Sequence, residues 1–421
     1  MNSNYYKGSV NGLSYKLYRT PGYKQKFAAM VSFFGSKDEI GSDYKFNRGI
    51  AHFIEHKLLV QSDLTDGYKL LTDMGVYANA ATSNNHTFFE IEGIEIEKPL
   101  AFLIKSYFNP TFDEADLERE KKVIIRELNM VNDRPGTKLF YKMQDAYFNK
   151  EPIANPIIGT EESVNAITKA EMYECYNKFY TTDNSLLVVV GDISEEELLE
   201  FLKIHVPTNR RGIVIRNENH TLPTKTLIEH KEENINIPKF FMDIRFKQNE
   251  LTNYEKICLS AYLDQLFGEY SKSFKELLEA RLINKSFYLS PYSGLNYSGI
   301  SLDSESVDPK KALSRIEGLF SKPIKIDQEI AEIFLKRYKA STLRISDNNS
   351  QLFYKMIEFA ANGLDLFEFI DDLLKVDKID FNITIYTASS RPNFLAAMAR
   401  AAPHCPAPVS VVILVMPSFM Q

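Results

Sequence analysis

Cysteine is scarce in this chain: Cys175, Cys258 and Cys405 are the three in 421 residues, far apart and in no CxxC or Cys/His spacing. That spacing argues against a disulfide framework and a thiolate metal site, and the three read as core thiols. An excess of positive charge is missing too. Fifty Lys and Arg stand against 56 Asp and Glu, a net charge of -6 with a pI near 5.8, which leaves no electrostatic footprint for nucleic acid. Nor is there a run of about 18 apolar residues that could span a bilayer. Residues 1–15 carry a single lysine, Lys7, and no apolar stretch of the signal-peptide kind. The expectation is a cytoplasmic protein that binds neither nucleic acid nor membrane. One further absence is local: from Asn382 to Gln421 there is no Lys, Asp or Glu, and Ala, Pro, Ser and Val dominate. Residues 389–421 thus read as an atypical tail, either a natural buried ending or a segment foreign to the fold.

What is present is globular composition, 44% hydrophobic and 25% charged, with length for two domains at about 100–200 residues each. The opening pattern predicts strands at about 12–19 and 25–35, helices at about 47–60 and 64–74, strands at about 76–82 and 86–95, and helices at about 97–107 and 113–132. Helices near 137–148 and 168–179 and the strand Leu186–Val190 complete this half. Around Pro207, Arg210, Arg211, Gly212 and Pro223 the chain turns polar and breaker-rich. Beyond it the order ββααββαα recurs over about 225–361, which predicts an internal duplication. The expected organisation is a first domain over 1–207, a linker over 208–224, a second, similar domain over 225–388, and then the tail. The fold class is α+β, each domain a mostly antiparallel sheet with helices packed on it.

The segment richest in chemistry is Gly49-Ile50-Ala51-His52-Phe53-Ile54-Glu55-His56. His52 and His56 are four apart, so on a helix their imidazoles share a side and can share one ion, with Glu55 beside them. Ile50, Phe53, Ile54 and Leu58 cover the opposite arc. Lys57 falls inside that apolar arc, which its long stem could accommodate by snorkelling. On a second helix, Glu120 and Glu127 are seven apart and project together, close to Leu117, Val123, Ile124 and Leu128. A carboxylate set among apolar residues must be paired, protonated or bound to a metal. Two histidines and one such carboxylate are a three-ligand zinc set with a position left for water. Zinc lowers the pKa of that water, and a neighbouring carboxylate, Glu55, can accept its proton as it attacks a carbonyl.

His-x-x-Glu-His is the inverted zinc signature. Together with Asn79-Ala80-Ala81-Thr82, Glu118-Arg119-Glu120, Arg126-Glu127, Pro156–Thr160 and Leu187–Asp192, it resembles the insulinase (pitrilysin) family, and within it the half-molecule subunits related to mitochondrial processing peptidase. The match covers most of residues 10–205 and, more weakly, 225–380. The resemblance implies that His52, His56 and Glu127 bind Zn2+, that Glu55 is the general base and that Glu120 supports the site by orienting a histidine. It implies that the strand holding Asn79, Ala80, Ala81 and Thr82 offers its edge to an extended peptide, although Asn79 read alone is equally a strand-end turn residue. It also implies a clam-like half-chamber that pairs as a homodimer or heterodimer. In the family the second domain often supplies an arginine and a tyrosine that hold the substrate backbone; Phe274–Ile283 resembles the corresponding helix, but the glycine and tyrosine expected after it do not align with Asn284–Tyr288, so those roles are not assigned. His86, His205, His220, His230 and His404 read as structural or surface histidines.

The function that follows is a zinc-dependent endopeptidase acting on extended or precursor peptides. The rival is a non-catalytic partner or scaffold subunit of a peptidase-like heterodimer, which need not keep His52, Glu55, His56 and Glu127. A metal-storing module would have no use for Glu55.

Overall fold

Two short hydrophobic alternations at the start, Tyr5–Val10 (β1) and Leu13–Arg19 (β2), are joined by a two-residue turn at Asn11-Gly12, where both residues have positive φ (53° and 91°). Such turns match the twist of a hairpin. The computed structural model describes residues 4–148, 152–208, 210, 212, 226–229, 237–245, 251–294, 297–320, 327–379, 383–384, 395–398, 407–408 and 410–415. The hairpin edges a six-stranded sheet with β3 (Lys26–Ser32), β4 (Tyr77–Thr82), β5 (Thr87–Gly93) and β6 (Ser185–Gly191) in the order β1-β2-β6-β3-β5-β4. Every neighbour is antiparallel except β2 and β6. The helices of this half are α1 (Ile50–Lys57), α2 (Gly67–Asp73), α3 (Glu97–Phe108), α4 (Glu114–Asn132), α5 (Pro135–Phe148), α6 (Glu161–Ala166), α7 (Lys169–Phe179) and α8 (Glu195–His205).

The second half repeats the plan. Strands β7 (Thr226–Glu229) and β8 (Lys239–Arg245) precede α9 (Asn253–Phe267) and α10 (Lys272–Glu279), and β9 (Tyr288–Gly294) and β10 (Tyr297–Glu305) precede α11 (Pro309–Phe320), α12 (Gln328–Arg344), α13 (Asn349–Ala361) and α14 (Leu366–Lys375). The strands β11 (Ile383–Thr384), β12 (Leu395–Met398) and β13 (Ala407–Pro408) form a small sheet, and β14 (Ser410–Val415) enters the larger one, ordered β7-β14-β8-β10-β9. There β14 runs parallel to β7 and antiparallel to β8, the relation that β6 has to β2 and β3. The tail that lacks Lys, Asp and Glu therefore supplies a central strand, as its Val/Ile/Leu run suits. Most of the linker, His220, His230, His404 and Cys405 lie outside the described residues.

The pattern missed β1, α6, α8, α14 and the strands beyond residue 382. It passed over β1 because its burial is partial. The helix α14 has a larger role: with α13 it covers the outer face of the first sheet. Leu186, Val188 and Val190 of β6, with Phe27, Ala29 and Val31 of β3, pack on Leu352, Phe353, Met356, Phe367 and Ile370. The opposite face of the same strands, Leu187 and Val189 with Ala28 and Met30, packs on α1, α3 and α7. The sheet that carries the candidate site is thus buried on both sides. Among the described residues no helix is long and apolar enough to cross a membrane.

Asp365 pins α14 to the first sheet. One carboxylate oxygen accepts from the Phe367 and Glu368 amides and caps the helix. The other accepts from the Tyr5 hydroxyl at 2.6 Å and lies 3.1 Å from Lys16 Nζ. Burial works against the charge, but the Tyr5 hydrogen bond and Lys16 outweigh it and hold the carboxyl at about 2. The depressed folded-state value means that stability is gained above the unfolded value of about 3.9 and lost as pH falls towards 2. Asp365→Asn should cost on the order of 1–3 kcal/mol at pH 7. In denaturant melts, the gap between wild type and variant should shrink between pH 4 and 2, whereas an unchanged gap would remove Asp365 from the acid response.

Candidate metal and active site

Helix α1 begins at a point where side chains do not fit. Gly49 has φ 90°, and a Cβ there would stand 2.3 Å from the Ile158 carbonyl oxygen; Gly159, φ 85°, faces the Arg48 carbonyl in the same way at 2.4 Å. Glycine at both positions lets the Pro156–Thr160 loop close on the helix start. Glu39, fully buried, caps the turn: its Oε1 accepts from the Gly49 amide at 2.9 Å and the Ala51 amide at 3.2 Å. Burial pushes its carboxyl well up, with those two hydrogen bonds opposing. Ile50, Ala51, Phe53 and Ile54 bury the inner face of α1, which leaves His52, Glu55 and His56 turned towards α4 and β4.

The three side chains offer ligand atoms within 4.8 Å of one another. The imidazoles pack edge to face, ring centroids 4.5 Å apart. Both Nε2 atoms address Glu127 of α4: His52 Nε2 is 3.8 Å from Oε1 and His56 Nε2 3.6 Å from Oε2. Those separations are too long for hydrogen bonds. They are near the about 3.3–3.5 Å that separates ligand atoms arranged tetrahedrally around zinc at bonds of about 2.0–2.2 Å. The donor set, two imidazole nitrogens and a carboxylate around a shared gap, fits that ion.

The two histidines differ at their second ring nitrogen. His56 Nδ1 meets Glu120 Oε1 at 2.9 Å, which directs its Nε2 to the gap, as expected for a ligand held by a carboxylate behind it. His52 Nδ1 is buried without a hydrogen-bond partner. Burial lowers the His52 pKa to about 3, with His56 adding to the effect and Glu120 opposing it, so the imidazole is neutral, the form that binds metal. For His56 burial also pulls down, but the Glu120 hydrogen bond and the charges of Glu55, Glu120 and Glu127 prevail and raise it. Glu55 is raised mainly by burial, against His56 and a hydrogen bond from Thr82. Burial acts upward on Glu120, yet His56 and Lys57 bring it below its usual value.

Several expectations need correction. Lys57 does not snorkel: it is 4% exposed, its Nζ 3.1 Å from Glu120 Oε2 and in a closer ion pair with Asp116. A lysine inside an apolar arc was the sequence signal for a buried carboxylate partner. Nothing comparable marked Glu39. Val123 is 39% exposed while Ile124, Leu117 and Leu128 are buried, so Glu120 and Glu127 stand at the border of the apolar stripe of α4.

The Asn79–Thr82 segment is most of the edge strand β4. Asn79 is mid-strand opposite Glu90, to which its amide donates at 3.3 Å, so the strand-end turn reading falls. Ala80 packs against the core below α1, Ala81 is half-buried, and Thr82 Oγ1 donates to Glu55 Oε2 at 3.1 Å. Thr82 therefore contacts the carboxylate itself. His86 is a structural histidine: its Nδ1 lies 2.7 Å from Asn85 Oδ1, its ring stacks on Phe88, and burial lowers it to about 4. His205 packs against Phe201 with its ring tilted by 40°, and Cys175 and Cys258 are buried free thiols.

With this geometry in place, the comparisons with known proteins decide the family. Residues 39–161 match the insulinase (peptidase family M16) profile, and residues 166–341 match the peptidase M16 inactive domain. The chain belongs to the insulinase family, M16. It is 25% identical to an uncharacterized zinc protease, YmfH, of Bacillus subtilis over 88% of this chain and 90% of that one. It is 28% identical to the mitochondrial-processing peptidase subunit beta of Bos taurus, over 40% of this chain and 36% of that one. An M16-like peptidase from Alicyclobacillus acidocaldarius superimposes with a TM-score of 0.79 at 20% identity, covering 98% of each chain. Within this M16 chain, the stretch matching the inactive domain begins at residue 166, after His52, Glu55, His56, Glu120 and Glu127. Names among the M16 relatives point to a peptidase fold associated with zinc.

Proposed function

We propose that this chain is a zinc-dependent endopeptidase that cleaves extended peptides, with His52, His56 and Glu127 as the ligands and Glu55 as the general base. One observation carries the reading: both imidazole Nε2 atoms face the two oxygens of Glu127, with Glu55 3.9 Å from His52 Nε2. When bound, zinc supplies Lewis acidity, lowering the pKa of a coordinated water and polarising the peptide carbonyl. Glu55 takes the proton of the attacking water and returns one to the leaving amine as the C–N bond breaks. Thr82 donates to Glu55 Oε2, the oxygen 3.9 Å from His52 Nε2, and so holds the carboxylate beside the gap. The free edge of β4 gives an extended peptide backbone hydrogen bonds and sets it beside α1. A peptide must be extended to pair with that edge, which favours unstructured substrates.

The rival, a non-catalytic subunit, draws on the match of residues 166–341 to the peptidase M16 inactive domain, while a relative named as a subunit of a processing peptidase speaks for assembly with a partner. The readings separate in one assay. An unstructured peptide should be cleaved by the zinc-loaded chain, not after chelation, and again once zinc is restored. A chain that binds zinc yet cleaves no peptide, alone or with an M16 partner, is the scaffold.

A further inference from the structure

Lys57 is the one buried charge on α1 that the proposed chemistry leaves unused. It follows His56 directly and closes the helix. Its ammonium reaches across to α4, where Asp116 and Glu120 stand four apart on one face. Glu120 divides its two oxygens between two partners on α1: Oε1 meets His56 Nδ1 at 2.9 Å, and Oε2 meets Lys57 Nζ at 3.1 Å. Asp116 has a second cation, Arg119, at 3.2 Å. If Lys57 were uncharged, Asp116 would keep a partner and Glu120 Oε2 would lose its own. The loss would fall on the carboxylate that orients His56.

We propose that Lys57 is a positioning residue of the metal site: through Glu120 it fixes the His56 imidazole, and through Asp116 and Glu120 it lashes α1 to α4. Those two helices deliver the three ligands, two from one and one from the other, so the spacing between them sets the size of the gap. The clamp acts on the buried side of that junction, where a charge pair is little screened. It is an arrangement of geometry and charge, distinct from the ligands, and it rests on reading His52, His56 and Glu127 as zinc ligands.

The test is zinc binding, read by competition with a chromogenic chelator and independent of peptide cleavage. Lys57→Met should weaken zinc binding by about 10–100-fold, the range for loss of a partner behind a ligand, and Glu120→Gln should do the same. Because Lys57 reaches His56 through Glu120, the double variant should bind zinc more tightly than the product of the two single effects predicts, and zinc affinity is a readout that a merely structural ion pair would leave unchanged. Should Lys57→Met fail to fold by circular dichroism, Lys57→Gln, which keeps a donor but not the charge, carries the same cycle. A folded Lys57 variant that binds zinc as tightly as wild type, or effects that multiply in the double variant, would overturn the inference and leave the ligand assignment standing. A wild-type chain that takes up no zinc would instead sink the ligand assignment.

Discussion

Glu55→Gln should hold zinc as wild type does and cleave an unstructured peptide about 10²–10⁴ times more slowly in kcat, the usual yield of a general base. The amide has the shape of the carboxylate, and its oxygen can still accept from Thr82, as Glu55 Oε2 does at 3.1 Å. What it cannot do is take a proton. KM should move little, since the backbone pairing offered by β4 is untouched. Zinc content by elemental analysis and initial rates on one peptide are the two readouts. A variant that cleaves at the wild-type rate removes Glu55 from the base role, while one that loses both zinc and cleavage makes Glu55 part of the metal site.

The second large effect belongs to Glu127. Its two oxygens face the two Nε2 atoms at 3.8 and 3.6 Å, whereas Glu120 touches only the far side of His56. Glu127→Gln removes a charged donor from the gap itself and should weaken zinc binding by more than the about 100-fold upper end for a group behind a ligand. Glu120→Gln should stay within that range. The order of the two is the prediction. If chelator competition shows Glu120→Gln to be the worse, the assignment of the two carboxylates is reversed.

Much of this site was legible before any coordinates. The spacing of His52 and His56, and of Glu120 and Glu127, is a property of helices that face one another, and helical periodicity alone put each pair on one side. What periodicity could not assign was which carboxylate enters the gap, because residues seven apart project alike. That depends on the crossing of α1 and α4. It could not reveal Glu39, whose role depends on a loop returning to the start of α1, nor the contact of Thr82 with Glu55, which depends on β4 lying beside α1. Lys57 was visible as an anomaly, and its explanation, two acids on another helix, was available only in three dimensions.

The fold divides similarly. The repeated strand and helix order was readable, and the five-stranded core order of the two sheets agrees with it: β2-β6-β3-β5-β4 beside β7-β14-β8-β10-β9. The place of Ser410–Val415 in that second order was not, since its composition differs so sharply from the chain before it. Nor could sequence show that α13 and α14 cover the first sheet. Their apolar faces announce burial, but not against what.

Crystals grown with zinc and measured on both sides of its absorption edge would test the central claim most directly. The expected result is a single anomalous peak within about 2.0–2.2 Å of His52 Nε2, His56 Nε2 and a Glu127 oxygen. A zinc-loaded crystal with no peak between those three side chains, or with its peak on Glu120 in place of Glu127, would contradict it.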